Sequence, residues 1–131
     1  MNFDPSEVGA GTFPALLGIE FEQAGDGTAL ARLELRPEHL APIGYLHAGA
    51  VVTLADTACG FGCIGSLPEG VWGFTTIELK TNFLGSAGEG TLTCRGRLVH
   101  GGRTTQVWDA TVEDETGKTL ALFRCTQLLL R

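Results

Sequence analysis

The sequence predicts an α+β fold in which one long buried helix is wrapped by a curved antiparallel sheet. The first observation is the segment from Ala48 to about Ile64, which has almost no charge, no proline, and apolar residues on all helical faces. The second is its surroundings, with two strand-like segments before it and four after it. The third is the length of 131 residues, which suits a single core. A helix that is apolar all round must be buried, and one curled sheet would bury it.

The composition restricts the classes of function. Apolar residues make up 44% and charged residues 18% of the chain, which is typical of one globular domain spanning residues 1–131. The net charge of −6, with no run of Lys or Arg, argues against nucleic acid as a partner. Because no signal peptide and no apolar run of about 20 residues occur, we expect a cytoplasmic protein without a membrane segment.

The residues before the long helix predict an arm, a short helix and a hairpin. Pro14 favours a helix start, and Gly25-Asp26-Gly27 lies between two alternating segments, as in a hairpin. The expected elements are, in order, a loose arm over residues 1–12, a short helix or turn over Phe13 to Leu17, strands over Ile19 to Gln23 and Ala29 to Leu35, and a loop over Arg36 to Ile43.

The residues after the long helix predict four strands in a meander. A loop from Gly85 to Gly90 and glycine-containing turns at His100-Gly101-Gly102 and Glu115-Thr116-Gly117 separate them. The expected strands are Trp72 to Phe83, Gly90 to Val99, Arg103 to Asp114 and Lys118 to Leu130. Together with the first hairpin, they supply the sheet that would cover the helix.

Asp56 is the anomalous residue of the long helix. A buried, unpaired carboxylate is costly, so it either finds partners or shifts its pKa. One interpretation is structural, with Asp56 bonded to Thr53, Thr57 or a neighbouring strand. The other is catalytic, and the helix start favours it. Small residues there, Ala48 and Gly49, would let a ligand approach free backbone N–H groups, where the helix dipole favours negative charge.

The spacing of Ala48 and Asp56 implies a dimer if both act on one centre. Eight residues correspond to about 12 Å along a helix. One chain cannot easily aim both groups at the same small reacting centre. Two antiparallel copies of the helix, related by a two-fold axis, would pair the start of one with Asp56 of the other.

Other candidate residues have simpler interpretations. The four cysteines, Cys59, Cys63, Cys94 and Cys125, lack metal-site spacing, so we expect small buried residues and no metal site. We expect the loop residues His39 and His100 to be solvated. The large aromatic residues are expected in the core or at a dimer interface, and these are Trp72, Phe74, Phe83 and Trp108.

The order of elements and one motif resemble a known family. The motif is Gly44-x-x-His47-Ala48-Gly49-x6-Asp56-Thr57-Ala58, and a second similar stretch runs from Thr76 to Leu84. Over roughly residues 15–130, the chain is similar to the hotdog-fold acyl-CoA thioesterases of the phenylacetic-acid-degradation type. The resemblance implies a hotdog fold, a homodimer that is often a dimer of dimers, and an acyl-CoA thioester bound between subunits. Coenzyme A would be part of the substrate, with no separate cofactor.

The resemblance also implies roles for individual residues. Ala48, at a position where the family commonly has Gly, would offer its backbone N–H to the thioester carbonyl. Asp56 would be the general base for water or the nucleophile. Thr76 would hold the attacking water, and His47 would position the carbonyl or the loop. A helix N-terminus and an ionised Asp are also the donor and the base that thioester hydrolysis needs.

Further residues are candidates for substrate binding. Gly49 and Tyr45 flank the motif His and would line the pocket. Arg103 follows two glycines and could meet the CoA phosphates, because arginine suits phosphate, or it could be a surface charge at a hairpin end. Lys80 and Asn82 could line the same channel.

One departure from the family pattern keeps a second function open, and a third function is disfavoured. Many members of the family have Asn six residues before the motif His, whereas this chain has Ala41, which favours a non-catalytic acyl-CoA-binding or regulatory module. A chain resembling the enoyl-CoA hydratases on the same fold would carry an Asp-x4-His motif. This chain lacks it, because the residue five positions after Asp56 is Phe61. The sequence therefore favours hydrolysis of a small or aromatic acyl-CoA.

Overall fold

The helices and strands follow the predicted order in the computed structural model, which describes residue 7 and residues 9–131. The long helix has the predicted bounds, and each strand begins and ends close to its predicted position. The elements are α1 (Phe13–Leu17), β1 (Ile19–Gly25), β2 (Thr28–Glu34), a 3-10 turn (Pro37–His39), α2 (Ala48–Ile64), β3 (Gly73–Phe83), β4 (Thr91–Gly101), β5 (Thr105–Glu113) and β6 (Thr119–Leu130).

The six strands form one antiparallel sheet in the order β1-β2-β4-β5-β6-β3. The predicted four-strand meander is therefore wrong for β3, which pairs with β6 at the edge, while β4 pairs with β2. Hairpin loops have about 2–5 residues. The longer connection between Phe83 and Thr91 instead carries the chain from the sheet edge to its centre. Because α2 contacts all six strands, the sheet curves around the helix, as the α+β prediction requires.

The core lies between α2 and the concave face of the sheet. Trp108 is fully buried there, and a Cβ at Gly62 of α2 would lie 2.6 Å from its ring. A glycine is therefore needed where the helix crosses this tryptophan. The largest fully buried apolar side chains come from both layers and are Leu33, Leu54, Leu92, Trp108, Val112 and Leu120.

One stripe of α2 is not covered by the sheet. Ala48 and Gly49 are exposed, and Val52, Thr53 and Asp56 are only half-buried. The expectation of a helix wrapped on all sides therefore holds only for its apolar face, and the open stripe carries the polar groups. Of the helices described, none has both the length and the hydropathy that a bilayer span requires.

The edge strand β3 is long and carries exposed apolar side chains. Ile77, Leu79 and Phe83 are all exposed, although Leu79 and Phe83 pair with the buried Cys125 and Ala121 of β6. A β-bulge interrupts the pairing at Ile77, between Thr76 and Glu78. Such bulges re-aim side chains next to functional sites. Here the bulge adjoins Thr76.

The predicted N-terminal arm is only partly described. Residues 1–6 and residue 8 lie outside the described residues. Glu7 and Gly9 have helical backbone, and Gly9 is buried beside Phe61 of α2. The Thr12 hydroxyl donates to the Gly9 carbonyl at 2.7 Å. The residues just before α1 therefore pack on the middle of α2.

Candidate active site

The Asp56 carboxylate meets the hydroxyl of Thr76 from β3. Thr76 Oγ1 lies 2.9 Å from Asp56 Oδ1. On its other side, Thr76 Oγ1 lies 2.8 Å from Oε1 of Gln127, a fully buried residue of β6. Gln127 was missed by sequence reasoning, because only the pairing of β3 with β6 places it opposite Thr76. The three side chains form one polar chain from the helix to the sheet.

Two opposing effects act on the Asp56 carboxyl. Burial raises its pKa above the ordinary value of 3.8, and the hydrogen bond donated by Thr76 lowers it, with burial the larger effect. A carboxylate of raised basicity that keeps one hydrogen-bond donor is suited to accept a proton from water. The arrangement can therefore act as a base, with the Thr76 hydroxyl holding the carboxylate.

The start of α2 presents one free amide. Among the described residues, the Ala48 N–H has no acceptor, whereas the Ala50 and Val51 N–H groups reach the His47 carbonyl at 3.0 and 3.4 Å. The Gly49 N–H donates to His47 Nδ1 at 2.8 Å. The side chain of His47 is therefore the helix N-cap, and its neutral ring carries the proton on Nε2. At the start of α2, Ala48 is thus the one described residue that offers an unused backbone donor to a ligand.

His39 holds the loop before α2 in place. Its ring is buried, with 1% exposed, so the expectation of a solvated side chain is wrong. Nδ1 accepts the Arg36 backbone N–H at 3.0 Å, and Nε2 lies 2.7 Å from the Leu17 carbonyl, to which it donates. The His39 carbonyl accepts the His47 N–H at 3.0 Å. Pro37 begins the turn that buries this ring. His39 thus links α1 to the helix start.

A mostly apolar cavity of about 270 Å³ opens beside Asp56. Gly60 is needed on its wall, because a Cβ there would lie 2.8 Å from the Phe74 ring. The lining residues come from α2, β3 and the residues before and within α1, and they are Gly9, Thr12, Pro14, Asp56, Thr57, Gly60, Phe61, Ile64 and Phe74. The carboxylate therefore faces a space that can take an apolar group.

A second cavity of about 310 Å³ lies at the start of the same helix. His47, Gly49 and Thr53 border it from the α2 side, and Phe13 and Leu17 of α1 border it from the other. Both cavities lie along the open stripe of α2. They are therefore two openings on one face of the chain.

The other predicted substrate residues lie elsewhere. Lys80 and Asn82 pair with Arg124 and Leu122 and line a groove with Asp109 on the outer face of the sheet, away from α2. The structure does not bring them to Asp56. Tyr45 is 63% exposed on the loop before α2.

Arg103 is exposed on the β4–β5 connection. Its carbonyl accepts a hydrogen bond from Arg131 at 2.8 Å, and Arg131 also reaches the Glu69 carbonyl at 3.3 Å. Arg103 therefore lies near the residues that follow α2, at the opposite end from Ala48. Within one chain, it is remote from the free amide.

The four cysteines are buried free thiols. Burial raises the pKa of Cys63 and of Cys94 to about 12. A hydrogen bond with Cys125, together with burial, raises the pKa of Cys59 well above its usual range. The thiols of Cys59, Cys63 and Cys94 are therefore protonated near neutral pH and are poor nucleophiles. In the part of the chain that the structure describes, no group of three or more His, Cys, Asp or Glu side chains could hold a metal ion.

Of the four aromatic residues predicted for the core or a dimer interface, Trp108 is fully buried in the core. Trp72 is 73% exposed, and Phe83 is exposed on the edge strand. Phe74 is half-buried on the wall of the Asp56 cavity. The expectation of core or interface positions thus holds for Trp108 in the core, and Phe74 instead shapes the candidate site.

Comparison with known proteins places this geometry in a family. The Thioesterase superfamily model matches residues 43–121, which include α2, β3, Asp56 and Thr76. The 1,4-dihydroxy-2-naphthoyl-CoA hydrolase of Listeria monocytogenes is 38% identical over 112 residues, which cover 84% of this chain and 89% of the relative.

Solved structures agree with the fold. A mutant thioesterase from Pseudomonas aeruginosa superposes with a TM-score of 0.92 at 28% identity, covering 99% of this chain and 96% of that one. The Escherichia coli PaaI protein from the phenylacetic acid degradation operon gives a TM-score of 0.82 at 27% identity, covering 90% of this chain and 83% of that one. The motif around His47 and Asp56, the hotdog architecture and these matches agree, and the chain belongs to the thioesterase superfamily and is a thioester hydrolase.

Proposed function

We propose that this protein hydrolyses an acyl-CoA thioester to a free acid and coenzyme A. The observation that carries the proposal is the half-buried Asp56 carboxylate, bonded to Thr76 and bordering an apolar cavity. The free Ala48 N–H is the matching oxyanion donor. Coenzyme A enters as part of the substrate, and the reaction uses only groups that the chain supplies.

The chemistry needs one donor, one base and one water. The thioester carbonyl oxygen accepts the Ala48 N–H, which stabilises the negative charge that develops as the carbonyl is attacked. Asp56 takes a proton from water as the water oxygen bonds to the carbonyl carbon. The C–S bond then breaks, and the proton on Asp56 passes to the departing sulfur. In the nucleophilic alternative, an Asp56 oxygen bonds to the carbonyl carbon, and the C–S bond breaks with departure of the CoA thiolate. Water then hydrolyses the mixed anhydride to the free acid and the Asp56 carboxylate, and the proton released passes to the thiolate.

We infer that each site is shared between two subunits of a homodimer, which can pair further into a dimer of dimers. In the continuous helix α2, Ala48 and Asp56 are about 12 Å apart along the axis, so they cannot serve one carbonyl within a chain. The open stripe of α2 and the exposed apolar edge of β3 offer surfaces for a second copy. Antiparallel pairing of two helices would bring Ala48 of one subunit to Asp56 of the other.

We propose a small or aromatic acyl group as the substrate. The cavity of about 270 Å³ beside Asp56 exceeds the roughly 150 Å³ of an apolar cavity that binds benzene. It can therefore take a single ring, and its open side allows for a larger one. A bicyclic aromatic acyl group is one candidate, because the Listeria relative is named for a dihydroxynaphthoyl-CoA.

A non-catalytic acyl-CoA-binding module is the second candidate. Ala41 favours it, because this position lacks a side-chain donor on the loop before the free amide. The Ala41 backbone is used within that loop, with its N–H bonded to the Tyr45 carbonyl at 2.6 Å. A binding module would hold acyl-CoA without releasing a thiol.

A thiol-release assay on a panel of acyl-CoA substrates tests the proposal. We expect turnover by the wild type and a loss of about 10²- to 10⁴-fold in Asp56→Asn, the contribution typical of a general base. Binding measured by calorimetry should survive the substitution. Asp109→Asn, the same change on the outer face, is the control. Binding without thiol release by the wild type on every substrate, or near wild-type turnover by Asp56→Asn, would refute the proposed mechanism.

A further inference from the structure

Gln127 is a buried polar residue whose partner is the hydroxyl next to the catalytic carboxylate. Its side chain is fully buried. Nε2 donates to the sulfur of Cys125 at 3.3 Å, which leaves Oε1 facing Thr76 Oγ1 at 2.8 Å. A buried amide is costly unless its atoms are hydrogen bonded. The burial of the Gln127 amide is therefore compensated by the two partners it has at this site, the Thr76 hydroxyl and the Cys125 sulfur.

The hydroxyl of Thr76 has one proton and two acceptors. Asp56 Oδ1 lies 2.9 Å away on one side, and Gln127 Oε1 lies 2.8 Å away on the other. When Asp56 is ionised, Thr76 donates to the carboxylate. When Asp56 is protonated, its own O–H can donate to Thr76 Oγ1, provided that the Thr76 proton has another acceptor. Gln127 Oε1 is that acceptor.

We propose that Gln127 is a positioning residue that accepts the Thr76 O–H whenever Asp56 holds a proton. The proposal rests on the proposed function of Asp56 as a base. The water proton moves to an Asp56 oxygen, the new Asp56 O–H donates to Thr76 Oγ1, and the Thr76 O–H rotates towards Gln127 Oε1. No covalent bond to Thr76 or Gln127 is made or broken. Gln127 therefore stabilises the protonated carboxyl that proton abstraction creates.

Few titratable groups other than Asp56 lie close enough to Thr76 and Gln127 to account for a change with pH there. The titratable neighbours are the thiol of Cys59, on the same helix as Asp56, and that of Cys125, behind Gln127 on β6. Burial and the Cys125 contact hold the pKa of Cys59 far above neutrality. No Lys, Arg or His among the described residues contributes to the pKa shift of the Asp56 carboxyl. The proposal therefore predicts a titration shared by Asp56, Thr76 and Gln127.

The first test uses the unliganded wild-type protein. Carbon-13 NMR across a pH titration should show the Gln127 side-chain carbonyl shifting with the same midpoint as the Asp56 carboxyl. Gln106 is an internal control, because it is buried and lies opposite Gln127 in the β5–β6 pairing, but bonds Trp108 and Ser66 instead. The side-chain carbonyl signal of Gln106 should not shift with the titration of Asp56. A Gln127 carbonyl that stays constant through the Asp56 titration would overturn the proposal.

The second test uses variants. Gln127→Met, with Gln127→Leu in case it fails to fold, should move the Asp56 midpoint and that of kcat/KM to lower pH. We expect kcat to fall about 2- to 10-fold, the change one neutral hydrogen bond makes, with KM unchanged. Gln106→Met should leave both midpoints in place. In a Thr76→Val background, the effect of Gln127→Met on the midpoint should disappear, and an undiminished shift there would refute the relay through Thr76.

The two proposals can fail separately. The NMR titration needs no substrate, so it can succeed or fail whatever the protein hydrolyses. If Asp56→Asn retained turnover, the proposed role of Asp56 as the base would fail while the shared titration could stand. If turnover depends on Asp56 but Gln127 does not titrate with it, only the role of Gln127 fails.

Discussion

At the scale of single residues, the fold places Asp56 where its charged form is unfavourable. Burial outweighs the hydrogen bond from Thr76, so the folded protein favours the protonated carboxyl. A raised folded-state pKa contributes stability that is fully present below the ordinary value of 3.8 and is lost as the pH rises through the folded value. At neutral pH, an ionised Asp56 therefore costs stability that a neutral residue would not.

Because the pKa of Asp56 is raised in the folded protein, we predict that Asp56→Asn stabilises the protein while it abolishes turnover. Asn has nearly the same shape and can still accept the Thr76 hydroxyl, but it carries no charge. The melting temperature of the variant should exceed that of the wild type at pH 7, and the difference should vanish below about pH 3.8, the ordinary pKa of this group. Calorimetry at several pH values measures it. An equal difference at all pH values would remove the titration of Asp56 as the cause.

Thr76 is predicted to set the pH at which the enzyme becomes active. Its hydrogen bond lowers the pKa of Asp56, so Thr76→Val should move the midpoint of the kcat/KM profile to higher pH. Thr81→Val is a matched control, because Thr81 is on the same strand and its buried hydroxyl has no hydrogen-bond partner in the structure. If the two variants gave the same profile, Thr76 would have no special role.

At the scale of elements, the start of α2 is the proposed oxyanion donor. Proline is well tolerated at the first helical position, and His47 before it already has the extended backbone that precedes proline. Ala48→Pro should therefore keep the fold and remove only the free N–H. We expect kcat to fall by about 10²- to 10³-fold. Ala48→Gly, which keeps the N–H, should remain active. A fully active Ala48→Pro would exclude this amide from catalysis.

The contact between α2 and β3 is predicted to set acyl-group size. A methyl group at Gly60 would lie 2.8 Å from the Phe74 ring and must push it. Gly60→Ala should therefore reshape the cavity beside Asp56 and disfavour aromatic acyl-CoA relative to acetyl-CoA. The ratio of kcat/KM for the two substrates measures this effect. Gly73→Ala is a control in open space, because its Cβ would meet no atom within 4 Å. A Gly60→Ala ratio equal to that of this control would show that the contact does not set specificity.

The sequence predicts elements better than their arrangement. The bounds of α2 were predictable because Pro42 and Gly44 break the structure before it, and because no proline and almost no charge occur from Ala48 to Ile64. The edge position of β3 was not predictable from strand patterns alone, since these patterns do not state which strands pair. The length of the loop before β4 was the available signal. Gln127 could not be found at all, because its contact with Thr76 depends on the register of β3 against β6.

At the scale of the whole molecule, the proposed site requires a second copy of the chain. The single chain has its free amide at one end of α2 and its base near the middle. The sequence motif groups His47, Ala48 and Asp56 on or beside one helix, as the structure has them, whereas Lys80, Asn82 and Arg103 lie away from Asp56 within one chain. A pattern along the chain identifies groups on one helix, but it does not show which surfaces a partner subunit brings together.

Complementation between two inactive variants tests the shared site most directly. Asp56→Asn and Ala48→Pro subunits, carrying different tags, would be co-expressed and the heterodimer purified. In a shared-site dimer, one of its two sites combines an intact Ala48 with an intact Asp56, so about half of the wild-type kcat per dimer should return. Each parent homodimer is the control and should be inactive. A purified heterodimer as inactive as its parents would contradict a site built from both subunits.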